Sequence, residues 1–137
     1  MCWTRSVAVK LYVPQVHSDL AARFFADGHE LIAPDLLPSE FGNILWKKSR
    51  RHELSAADAR RIARALLAAP LSVHASAILL EGALEVATRM DRTVYEGMYV
   101  ALAMALGEAL VTADRRLANA LDKTPFGRHV LWVEDLP

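Results

Sequence analysis

Short β-branched runs alternate with longer Ala/Leu-rich stretches along this chain, and that alternation restricts its fold more than any other feature. The runs are Ser6-Val7-Ala8-Val9, 30–33, 70–73, 109–112 and 128–133, each four to six residues long. That is the length of a strand buried on both faces. Between them, apolar residues recur at helical spacing over 18–27, 36–49, 55–68, 76–89, 93–106 and 113–121. Asp35 is the expected N-cap of the second stretch, with Pro38 tolerated in its first turn. Ser55 and Asp58 open the third, and Gly28 and Gly107 supply stops. Strands joined by helices imply right-handed crossovers and parallel pairing. Two consecutive helix pairs, 36–49 with 55–68 and 76–89 with 94–106, break a strict alternation. The expected fold class is therefore α/β: a three-layer α/β/α sandwich with a mostly parallel central sheet. Strand order does not follow from the pattern.

A chain of 137 residues is the size of one domain, expected over 1–137. Its 53% hydrophobic and 23% charged content is that of a globular chain and excludes disorder. Lys+Arg 16 against Asp+Glu 16 excludes a uniformly basic nucleic-acid coat while leaving room for a local patch. The lone Cys2 forms no internal disulfide, which favours a reducing, cytoplasmic setting. The uncharged apolar stretch from Met98 to Gly107 is too short to span a bilayer, and no charged-then-apolar leader opens the chain. No membrane partner is expected.

In such a sheet, ligands bind beyond the carboxyl ends of the strands, so acids at the following helix starts carry the most weight. Glu40 falls three residues after Leu37 and four before Ile44, on the apolar side of its helix. A carboxylate held there needs a basic partner, a proton or a metal, unless it is a rim acid reaching water. Glu96 follows Thr93 by three, which spells a capping box, yet Tyr99, Val100 and Ala103 continue its face into an apolar helix. Asp114 follows the run ending at Thr112, where it either stabilises the helix dipole or joins a site. Carboxylates crowded together repel one another unless a cation lies between them. A hard divalent ion, Mg²⁺ or Mn²⁺, suits such oxygens, and phosphodiester hydrolysis suits such an ion. No P-loop, Cys/His zinc spacing or Gly-x-Ser-x-Gly elbow competes.

Three segments resemble blocks of the PIN-domain ribonucleases. Ala33-Pro-Asp-Leu-Leu-Pro-Ser-Glu40-Phe-Gly-Asn-Ile-Leu-Trp-Lys is similar to their second block. Arg92-Thr-Val-Tyr95-Glu96-Gly-Met-Tyr99-Val-Ala-Leu-Ala103 resembles the Tyr-Asp-x-x-Tyr-x-x-Leu-Ala block, and Leu110-Val-Thr-Ala-Asp114-Arg-Arg-Leu117 the closing Thr-x-Asp block. Their order and spacing fit the small VapC-type toxins of bacterial toxin–antitoxin pairs. The resemblance implies a metal-dependent endoribonuclease using Mg²⁺ or Mn²⁺, an RNA substrate, a cognate antitoxin and a homodimer. It casts Glu40, Glu96 and Asp114 as the second, third and fourth acids of a metal-binding quartet. Glu96 stands where Asp is usual, moving the carboxylate outward by about one methylene, a change that matters to a distance-sensitive site.

The first acid departs from the pattern. Ser6-Val-Ala-Val-Lys10 matches the family's Asp-x-Ser-x-x-x-Lys block in a register that puts Thr4 where Asp belongs. A hydroxyl replaces a charged ligand. Two readings follow: an impaired nuclease, or a catalytically silent module that keeps the fold and binds an antitoxin or a relative. Thr4, Ser6 and Thr112 are the expected nearby hydroxyls, and Arg115 and Arg116 the expected RNA-backbone contacts. Lys47-Lys48-Ser-Arg50-Arg51-His52 closes the second helical stretch, where cations either complement the helix dipole or bind phosphate. Trp46, Trp132 and the Phe24-Phe25 pair are expected in packing roles, and the five histidines lack ligand spacing.

Overall fold

The computed structural model of the chain describes residues 2–3, 31–69, 71–112, 114–122, 124–127 and 130–132. In chain order these form β1 (Cys2–Trp3), β2 (Leu31–Pro34), α1 (Leu37–Arg50), α2 (Ala56–Ala68) and β3 (Leu71–His74). A 3₁₀ turn (Ser76–Leu79), α3 (Leu80–Met90), α4 (Val94–Leu106), β4 (Leu110–Thr112), α5 (Arg115–Asp122) and β5 (Val130–Trp132) follow. The expected run 6–9 and helix 18–27 lie outside the described residues.

The five strands form one sheet in the order β3-β2-β1-β4-β5, with each neighbouring pair parallel. The chain builds outward from β1 to β3, then returns to lay β4 on the other flank of β1. The direction of winding thus switches between β1 and β4, where an open α/β sheet leaves a crevice at its strand C-termini. Cys2 pairs with both Ile32 and Leu110, and Trp3 with Val111. β1 therefore forms at Cys2–Trp3, which the β-branched pattern does not mark, because two flanking strands supply its backbone hydrogen bonds whatever its side-chain propensity.

Among the described residues, the starts of α2 and α4 follow the local signals, while 76–79, expected within the helix over 76–89, form the 3₁₀ turn ahead of α3. Ser55 caps α2 by accepting from Asp58 N at 3.0 Å, and Thr93 caps α4 by accepting from Glu96 N at 3.2 Å. Gly107, at φ 64, ends α4 in a left-handed turn that glycine adopts without steric cost. Asp35 is not the cap of α1. Leu36 occupies that position without a side-chain bond, while Asp35 Oδ1 accepts from Ser76 N at 3.1 Å. The carboxylate instead ties the exit of β2 to the turn after β3, so a tertiary partner overrides the local one.

β4 is buried along its length, as a strand covered on both faces should be. Leu37, Phe41 and Leu45 of α1 pack into the same core as Leu66, Val86, Tyr99, Val100, Leu102, Leu110 and Leu117. Each such large side chain contributes about 1.5–3 kcal/mol by burial. The backbones of α3 and α4 meet at Gly97. A Cβ added there would overlap the carbonyl oxygen of Ala83 and lie 3.2 Å from its carbonyl carbon. That close crossing seats α4 against α3, β1, β2 and β4 and fixes the helix that carries Glu96.

Candidate active site

Glu40 emerges from the first turn of α1, beside buried Leu37 and Phe41 and half-buried itself. Its Oε1 accepts a 2.7 Å hydrogen bond from the hydroxyl of Tyr99, a residue only 3% exposed on α4. The carboxylate therefore faces inward, and its direction is set by a helix remote in sequence. Tyr99 is a partner of Glu40 that pattern reading alone assigns to packing. Its sequence signals are its place three residues after Glu96, on the same helical face, and its match to the second Tyr of the Tyr-Asp-x-x-Tyr-x-x-Leu-Ala block.

Glu96 makes only half of the capping box. Its backbone N–H donates to Thr93 Oγ1, but its carboxylate turns to Arg92. Arg92 Nε donates to Oε2 at 2.7 Å and Arg92 Nη2 to Oε1 at 3.1 Å, so one guanidinium grips both oxygens. The two side chains are 24% and 21% exposed, sheltered enough for the pair to hold. Whatever engages Glu96 must compete with Arg92.

Asp114 stands two residues beyond the end of β4 and caps α5. Its Oδ1 accepts from Arg116 N at 3.0 Å and more weakly from Leu117 N at 3.4 Å, while its own N–H donates to Thr112 Oγ1 at 3.0 Å. Thr112 is fully buried, so this acid is anchored to the core of the sheet. The second oxygen, Oδ2, has no hydrogen-bond partner among the described residues. The dipole role expected for Asp114 is met, and it leaves that oxygen available.

The Tyr99 bond brings Glu40 to the helix that bears Glu96, with the Cβ atoms of residues 96 and 99 about 5–6 Å apart. Asp114 belongs to the same end of the sheet, since β4 neighbours β1 and β1 neighbours β2. Thr4 follows β1 in sequence; it and Ser6 lie outside the described residues. Among the described residues, no three His, Cys, Asp or Glu side chains stand within reach of one ion. The donors themselves are carboxylate oxygens, hard ligands of the type that Mg²⁺ and Mn²⁺ select. In chemical type the set fits such an ion.

Two adjoining cavities open along α1. One, of about 400 Å³, is lined by Ser39, Glu40, Asn43, Ile44, Lys47 and Tyr95. The other, of about 370 Å³, is lined by Trp46, Lys47, Arg50 and Arg51. Trp46 does not pack in the core as its size suggests. It is 52% exposed, and the Arg50 guanidinium lies 5.1 Å from its ring centre. The core side of α1 is already filled by Leu37, Phe41 and Leu45, which leaves position 46 outward. Arg115 and Arg116 are exposed at the start of α5, next to Asp114. Among the described residues, no helix is long and apolar enough to cross a membrane.

Comparison with known proteins places the chain in a family. The PIN-domain family profile matches residues 5–123. Ribonuclease VapC3 of Pyrobaculum aerophilum is 38% identical over 116 residues, covering 83% of this chain and 88% of the relative. Ribonuclease VapC9 of Mycobacterium tuberculosis is 35% identical over 102 residues, covering 74% of this chain and 79% of the relative. The crystal structure of PAE2754 from Pyrobaculum aerophilum superposes with a TM-score of 0.73 at 28% identity, covering 97% of this chain and 83% of that one. Mycobacterium tuberculosis VapC20, described as a sarcin–ricin-loop-cleaving toxin, superposes with a TM-score of 0.68 at 18% identity, covering 88% of this chain and 94% of that one, a likeness of fold.

Proposed function

Since the chain belongs to the PIN-domain family, we propose that it is the endoribonuclease toxin of a toxin–antitoxin pair, hydrolysing RNA phosphodiesters at Glu40, Glu96 and Asp114. The observation that carries this reading is the Tyr99–Glu40 hydrogen bond, which ties an acid of α1 to the acid-bearing face of α4 beside the switch point of a parallel sheet. The relatives named as ribonucleases support the same chemistry.

Glu40, Glu96 and Asp114 would hold Mg²⁺ or Mn²⁺, with Thr4 at the position of a fourth ligand. When bound, the ion supplies positive charge for the scissile phosphate and lowers the pKa of an attacking water. The chain's own groups do the positioning. Asp114 is fixed through Thr112 and the first turn of α5, so its Oδ2 is presented without a large loss of side-chain freedom. Tyr99 aims Glu40, and Arg92 holds Glu96 in reserve. Arg115 and Arg116, exposed beside Asp114, steady the RNA backbone. A homodimer, a cognate antitoxin covering the site and a cytoplasmic setting belong to the same proposal.

A second reading rests on the sequence register that assigns Thr4 to the first-acid position and on the hold of Arg92 on Glu96. Both point toward a catalytically silent module that binds an antitoxin or a related chain. Incubating the protein with RNA in Mg²⁺ or Mn²⁺ separates the two. Cleavage stopped by EDTA and by Asp114→Asn supports the nuclease. No cleavage, together with stable capture of a cognate antitoxin, supports the silent module.

A further inference from the structure

The C-terminal half of α1 carries a feature that the acid cluster does not use. Glu40, Asn43, Ile44, Lys47, Arg50 and Arg51 recur three or four residues apart, so they form one stripe along the helix. Lys47 lines both cavities, so the two adjoin at that side chain; the second is a trough, and together they follow the helix from Glu40 to Arg51, about 16 Å along its axis. Its far end is cationic. Lys47 and Arg51 have no acidic partner among the described residues, whereas the neighbouring Lys48 is paired with Glu53 at 3.5 Å.

Helix-dipole complementarity accounts for cations at this terminus but not for the tryptophan between them. An indole 52% exposed forgoes much of its burial free energy. Here it is stacked with Arg50 inside a cleft whose other walls are positive. Aromatic faces alternating with phosphate-binding cations are the chemistry of single-stranded nucleic-acid grooves. An acidic peptide would meet the charge but has no use for the planar platform. A duplex would meet the charge but keeps its bases stacked.

We propose that the trough lined by Trp46, Lys47, Arg50 and Arg51 is a subsite for single-stranded RNA flanking the cleavage position. Lys47 and Arg51 take phosphates, and one base stacks on the Trp46–Arg50 pair. The subsite deepens the nuclease reading and rests on it, because it leads the strand along α1 to Glu40.

The test is binding of a labelled single-stranded oligoribonucleotide in EDTA, followed by fluorescence anisotropy over a salt series. Trp46→Ala weakens binding about ten-fold, and Trp46→Phe restores most of it. The double variant Lys47→Gln/Arg51→Gln weakens binding and flattens the plot of log K against log salt by about 1.4, the loss of two phosphate contacts. Arg89→Gln, which removes one positive charge on α3 rather than two, leaves affinity as in the wild type. Unchanged affinity in both trough variants overturns the subsite, as does equal competition by polyglutamate or by duplex RNA. Circular-dichroism melts confirm that the substituted chains fold. The two proposals fail separately. A protein that binds RNA through the trough but never cleaves it refutes the nuclease and keeps the subsite. Cleavage with unaffected binding in the variants does the reverse.

Discussion

Replacing Arg92 with Gln should make the chain bind divalent metal more tightly while making it less stable without metal. Both oxygens of Glu96 are engaged by the Arg92 guanidinium, at 2.7 and 3.1 Å. Side chains about a quarter exposed are partly screened by water, so the pair is worth about 1 kcal/mol. An ion that takes Glu96 as a ligand must first break it, and 1 kcal/mol corresponds to a roughly five-fold penalty in affinity. Arg92→Gln removes the competitor and a nearby positive charge, and both changes favour the cation. The affinity for Mn²⁺, measured by isothermal titration, should rise about five-fold or more. Without metal, the variant should melt about 4 °C lower for the lost 1 kcal/mol. The stabilisation gained on adding Mn²⁺ should be larger than in the wild type, since it grows with ligand concentration over Kd. Unchanged or weakened Mn²⁺ binding would refute the idea that Arg92 and the metal share Glu96.

Three further outcomes follow from the same geometry. Gly97→Ala drives a methyl group into the Ala83 backbone, so α3 and α4 must separate; a loss of about 2–3 kcal/mol in a urea melt is expected, and a neutral substitution contradicts the close crossing. Tyr99→Phe deletes the donor that aims Glu40, lowering stability by about 1–2 kcal/mol and slowing RNA cleavage; equal melts and equal rates would show that the bond orients nothing. Thr4→Asp supplies the carboxylate missing from the family pattern and should raise both Mn²⁺ affinity and cleavage rate, whereas no gain in either places the first-acid position elsewhere.

The strands β2 to β5 and the ends of α2 and α4 are legible in the sequence because their signals are local. Apolar period distinguished strands from helices, and Ser55, Thr93 and Gly107 mark boundaries through bonds within a few residues. What escaped depends on distant partners. Asp35 has the composition of a cap but bonds Ser76 across the sheet. β1 has an unremarkable sequence and is a strand because β2 and β4 flank it. Helix position and family resemblance single out Glu40, Glu96 and Asp114 as candidate acids but not the side chains that hold them: Tyr99 reaches Glu40 from another helix, and the Arg92–Glu96 spacing is equally compatible with a completed capping box. Trp46 departs from the packing role its size suggests because the stripe of Leu37, Phe41 and Leu45 already fills the core side of its helix.

Direct titration of Mn²⁺ into the wild type and into Glu40→Gln, Glu96→Gln and Asp114→Asn, read by electron paramagnetic resonance of the free ion, addresses the shared-ion claim without relying on activity. The account predicts that the wild type binds Mn²⁺ and that each of the three amide substitutions, made on three different helix starts, weakens the same site. Binding that is indifferent to all three would contradict it.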